Sequence, residues 1–165
     1  MKRNAALVLA LALGLGLTSA AAGGAGPSAS SGSGGGTLAF RETGEGTRAF
    51  NLPGEPRATV GRVLRSGLEA YRVLRELGVD RGTTKSVNWR RESAIVVLSA
   101  WVPTGGYRAR VRRVDVHGRE AVVNARVRYE GGDVATQSLE RPWVVIAVKR
   151  SSLAGVRNEV KVKLR

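Results

Sequence analysis

The single histidine, His117, is the first residue that could do chemistry. Asp115 stands two places before it, and serines elsewhere could supply a hydroxyl, so a nucleophile–base–carboxylate triad is the first arrangement to test. The spacing argues against it. Asp115-Val116-His117-Gly118 reads as the end of a hairpin, and side chains at i and i+2 of a tight turn do not orient one another as a buried triad requires. The chain has no G-x-S-x-G elbow and no Walker-type loop. Cysteine is absent, so a zinc site would need carboxylates for nearly all its ligands. The 13 acidic residues lie mostly among 27 basic ones, which leaves paired-carboxylate hydrolysis without a pair. The expectation is a protein with no catalytic residues, no metal and no cofactor, one that works by binding.

The residues suited to binding are arginines. Tyr107 to Val114 alternates, with Tyr107, Ala109 and Val111 on one side and Arg108, Arg110 and Arg112 on the other. Ala121 to Tyr129 repeats the pattern, setting Arg126 and Arg128 opposite Val127 and Tyr129. Paired as a hairpin, the two segments bring Arg108, Arg110, Arg112, Arg126 and Arg128 to one sheet face. Like charges opposite one another repel unless an anion or carboxylate lies between them. That face is either a solvated surface whose arginine stems cover apolar atoms or a docking surface for an acidic partner, gripped by guanidinium forks. The turn Pro103-Thr104-Gly105-Gly106-Tyr107 is the second candidate partner-binding element, its two glycines permitting positive φ. A net charge of +14 favours acidic partners: protein surfaces, anionic lipid or wall polymer. No aromatic interleaves with the arginines on their face, which disfavours nucleic acid.

These residues need elements to hold them. Lys2 and Arg3, the apolar run Ala5–Leu17 and the small residues Thr18–Ala22 follow the order of a signal peptide, expected over 1–22. The run is too short for a stable transmembrane span, so export to the periplasm, cell surface or medium is expected. Residues 23–36, GGAGPSASSGSGGG, read as a flexible linker with nothing to bury. A single domain is expected over 37–165. Within it, Thr37–Arg41 reads as an edge strand, Glu42–Pro56 as loop and Ala58–Arg65 as a strand. Ser66 and Glu69 form a capping box that opens a helix over 66–77, with Leu68, Tyr71, Leu74 and Leu77 inward and Gly78 as the stop. Ala94–Val102 and Trp143–Val148 are apolar runs expected of strands covered on both faces. Gly131–Glu140 is a connection, and Val160–Leu164 a final strand. One main helix and about six strands define an α+β fold with a mostly antiparallel sheet.

The order Ala94–Leu98, then Val102-Pro103-Thr104-Gly105-Gly106-Tyr107, then Thr136-Gln137 and Pro142-Trp143-Val144-Val145, resembles the C-terminal domain of PrcB-type protease-complex subunits over 89–150. Asn88-Trp89 departs from the Asp-Phe expected there, and without cysteine the chain lacks the lipoprotein attachment of some members. The resemblance implies an exported non-catalytic subunit associated with a secreted or surface serine protease, a subtilisin-like one among the candidates. Two alternatives are kept beside it: a direct protease inhibitor acting through the 103–107 loop, and an envelope protein that binds polyanions.

Overall fold

The computed structural model describes residues 35–48, 58–103, 105–131 and 139–165. The expected leader, and the linker as far as residue 34, lie outside the described residues, as do 49–57 of the expected loop. The α+β expectation holds, with eight strands among the described residues instead of about six. They are β1 (Gly36–Thr37), β2 (Phe40–Arg48), β3 (Val60–Leu64), β4 (Glu92–Leu98), β5 (Tyr107–His117), β6 (Glu120–Tyr129), β7 (Arg141–Lys149) and β8 (Lys161–Leu164). The helix α1 spans Gly67–Glu76.

The strands form two sheets. The central sheet has the order β2-β7-β4-β3 and is antiparallel throughout. The front sheet has the order β1-β5-β6-β8 and is antiparallel except for the parallel β6–β8 pair. One core fills the space between the sheets, with Ile95, Val97, Val144 and Ile146 meeting Ala109, Val114, Val123 and Ala125. A second core lies on the other face of the central sheet, where Ala94, Val96, Leu98 and Val145 meet Ala70, Leu74 and Leu77 of the helix layer. The central sheet is therefore covered twice, which is why β4 and β7 read as unbroken apolar runs. The front sheet is covered once, which is why β5 and β6 alternate.

Three differences from the sequence reading have physical causes. Residues 42–48 are strand, not loop. Gly46 is there because the Trp143 ring crosses the strand: a Cβ at Gly46 would stand 2.6 Å from the Trp143 ring. This glycine marks a close approach, not a turn. The helix turns a different face inward, burying Ala70 and Leu74 while leaving Leu68 62% and Tyr71 46% exposed. The small Ala70 lets the helix approach the sheet, and Tyr71 is covered outside by the Arg81 guanidinium, 4.8 Å from its ring centroid. Strand β4 ends at Leu98, and its continuation stays beside β7 through the Ser99–Pro142 hydrogen bond and the Val102–Glu140 bridge. The cap itself stands as expected, with Ser66 Oγ accepting from the Glu69 N–H at 3.2 Å, while the Glu69 carboxylate accepts from Arg65 N–H at 2.7 Å.

Candidate functional surfaces

The Pro103–Tyr107 segment is the corner where the chain leaves the central sheet and enters the front one. Ser99 N–H donates to Pro142 O at 2.8 Å and Val102 N–H to Glu140 O at 2.8 Å, keeping the outgoing strand aligned with β7's approach. Beneath it lies Arg141, fully buried, donating through Nε to Ser99 O at 2.7 Å and through a terminal nitrogen to Ala58 O at 2.8 Å. Its guanidinium stands 5.6 Å from the Trp101 ring centroid. Pro103 is exposed and Gly105 buried, while Thr104 lies outside the described residues. Gly106 takes φ +90°, and a Cβ there would meet the Tyr129 ring at 2.9 Å. Its carbonyl accepts from Glu130 N–H at 2.8 Å, so the corner is pinned to the end of β6. Tyr107 and Tyr129 are register partners whose rings meet edge to face, with centroids 5.4 Å apart. Exposed Leu139 flanks the corner beside Glu140.

The arginine face forms as the alternation implies, but its charges are sorted. Arg108 stands opposite Arg128 and Arg110 opposite Arg126. Carboxylates from the neighbouring β2 neutralise one member of each pair: Arg108 meets Glu45 at 2.8 Å, and Arg110 meets Glu42 at 3.1 Å and Glu45 at 3.3 Å. Glu130 adds contacts at 3.6 Å to Arg108 and 3.9 Å to Arg110. The Glu45 charge, followed by the Glu42 hydrogen bond, raises the Arg110 guanidinium above its ordinary range. Arg112 is the extra residue of a bulge between Val111 and Arg113. Arg112, Arg126 and Arg128 form no ion pair or side-chain hydrogen bond among the described residues. Sequence reasoning missed the clasp because Glu42 and Glu45 fell in a stretch read as loop.

The residues that could have done acid–base chemistry are otherwise engaged or unsupported. Asp115 accepts from Thr37 Oγ1 at 2.8 Å, Arg113 Nε at 2.6 Å and Asn124 Nδ2 at 3.3 Å, and the Arg113 hydrogen bond leads in holding its carboxyl below the usual carboxylate range. His117 is exposed at the hairpin end opposite Glu120 and makes no hydrogen bond among the described residues. Among those residues no three His, Asp or Glu side chains gather as metal ligands, and no helix is long and apolar enough to cross a membrane.

The architecture defines a small α+β module of two face-packed sheets, with a glycine corner joining them and a cationic outer strand face. Residues 94–149, from within β4 to the end of β7, match the family model described as PrcB C-terminal. That span contains the corner, both arginine-bearing strands and Arg141. No curated protein and no solved structure matches the chain.

Proposed function

We propose that the chain is an exported, non-catalytic subunit that binds a secreted or surface serine protease, with the 103–107 corner as the docking edge. The observation that carries this reading is the PrcB C-terminal match over β4–β7, because the sheet-switching corner lies inside it. The chemistry of the corner agrees. Exposed Pro103, Leu139 and Tyr129 cluster with half-buried Tyr107 and Trp101 at one end of the module. Aromatic and apolar anchors of this kind dominate protein–protein recognition, and charged residues are depleted from its centre. Among the candidate partner-binding residues, Arg108 and Arg110 then act at the rim, since each already has a carboxylate.

The test is capture of a serine protease from the exported fraction of the producing cell, read with a fluorophosphonate label that reports active enzyme. The full chain is expected to retain a labelled protease that stays active, and a variant combining Pro103→Ala with Leu139→Ser is expected to retain about tenfold less. Equal retention by the variant removes the corner as the docking edge. Absence of any labelled protein removes the protease-subunit reading, and a retained but silenced protease turns it into that of an inhibitor.

A further inference from the structure

The outer face of the front sheet carries a second feature, apart from the corner. Strand β8 lies parallel to β6 with Lys161 beside Val122 and Lys163 beside Asn124, so both lysines project on the side of Arg126. The bulge adds Arg112, and the residue after β8 adds Arg165, whose N–H donates to Ala125 O at 3.1 Å. Together they line an open concavity of about 920 Å³. Some of its charges are spent: Arg113 on Asp115 at 2.6 Å and Lys161 on Glu120 at 2.7 Å. Arg112, Arg126, Lys163 and Arg165 have no side-chain partner among the described residues. Neighbouring strands are about 4.8 Å apart and alternate residues about 6.6 Å, within the Debye length of about 8 Å at physiological salt. Four cations this close repel one another and are felt by a ligand as one field.

The lining also says what the ligand is not. Its apolar members are Val122 and Ala125, and it holds no aromatic side chain. Bases would need stacking platforms, and a folded protein would need an apolar anchor. A bilayer would offer apolar tails as well as headgroups, and the concavity presents no large apolar side chain to insert among them. We propose that this concavity binds a base-free linear phosphodiester polymer, a polyol-phosphate chain, held by charge and by the guanidinium forks of Arg112 and Arg126. The proposal is independent of the protease reading, because the corner contributes nothing to the concavity.

The probe is poly(glycerol phosphate), titrated against the full chain at increasing salt. Four neutralised charges at a single-strand slope of about −0.7 each give a log–log slope of about −2.8, so affinity falls about 50-fold between about 50 and 200 mM salt. Arg126→Gln with Lys163→Gln removes two charges and reduces that fall to about sevenfold. Arg72→Gln with Arg75→Gln removes the same net charge from the exposed side of α1 and is expected to leave the 50-fold fall unchanged. If the Arg126 variant fails to fold, Lys163→Gln with Arg165→Gln makes the same subtraction. The proposal is overturned if the helix variant weakens binding as much as the concavity variant. It is equally overturned if oligothymidylate, polyglutamate or vesicles rich in phosphatidylglycerol bind as tightly as the polymer at matched charge.

Discussion

Replacing Arg141 with Met should cost far more than replacing an exposed arginine such as Arg72. The side chain is fully buried, and its guanidinium holds the carbonyls of Ser99 and Ala58 at 2.7 and 2.8 Å. Methionine fills much of the same volume but donates nothing. Each hydrogen bond from a charged donor contributes about 1.5–3 kcal/mol, and a buried carbonyl left without a partner costs about 1–3 kcal/mol. The two carbonyls cannot be replaced by apolar groups, because they are backbone, so the usual recovery from removing a whole buried ion cluster is closed. Regained apolar packing offsets part of the loss, and the net cost comes to about 2–5 kcal/mol. Urea unfolding measures it as a lower midpoint at unchanged slope. Arg141→Lys keeps the charge but can reach one carbonyl, and should fall between wild type and Met. The same variants should speed amide exchange at Ser99 and Val102, since Arg141 anchors the strand that leads into the corner. A Met variant within 1 kcal/mol of wild type, with unchanged exchange at those amides, would show that the corner is held by something other than this guanidinium.

Three other outcomes follow from the same coordinates. Gly106→Ala combines φ +90° with a Cβ 2.9 Å from the Tyr129 ring, and should destabilise by about 1–3 kcal/mol in thermal or urea unfolding. Replacing Glu42 and Glu45 together by Gln leaves Arg108, facing Arg128, and Arg110, facing Arg126, with only the more distant Glu130 carboxylate; the melting temperature should drop at low salt and recover as salt is added, whereas loss of a packing contact would show no such recovery. Glu92, Asp115 and Glu120 are each held below the ordinary carboxylate range, led by hydrogen bonds from Arg41, Arg113 and Lys161. Their folded values lie below their unfolded ones, so the stability they add is complete above about pH 5 and is lost as pH falls through the folded values, and Asp115→Asn should flatten that acid limb in a pH series of melts.

The parts of this fold legible in the sequence are those where one face decides everything. β4 and β7 sit between two cores, and no polar residue interrupts Ala94–Leu98 or Trp143–Val148. β5 and β6 face one core, and their arginines alternate out of it. The cap of α1 is local chemistry and needs nothing from the rest of the chain. What escaped notice depends on partners distant in sequence. Gly46 reads as a turn residue until the Trp143 ring is seen across it. Leu68 and Tyr71 fit a helical stripe as well as Ala70 does, and only the depth of approach to the sheet chooses between them. Lys161 and Lys163 alternate visibly, but nothing in Val160–Leu164 says that it lies parallel to β6 across some 30 residues of chain, where its lysines meet Arg126.

That sorting changes how the charge of +14 should be understood. Several arginines are backbone clamps: Arg48 donates to Leu77 O at 2.7 Å at the C-terminal end of α1, where the helix dipole favours a cation. Arg65 donates to Leu153 O at 3.0 Å and also to Val156 O, and Arg150 donates to Trp89 O at 2.7 Å. Arg108 and Arg110 close the front sheet against β2 through Glu42 and Glu45. In a chain without cysteine such clamps take the place of covalent staples between loops and strands, and a clamped guanidinium has little freedom left for a ligand. Charge available for binding is therefore a property of position. It concentrates where β8 folds back beside β6, where the cations outnumber the carboxylates within reach.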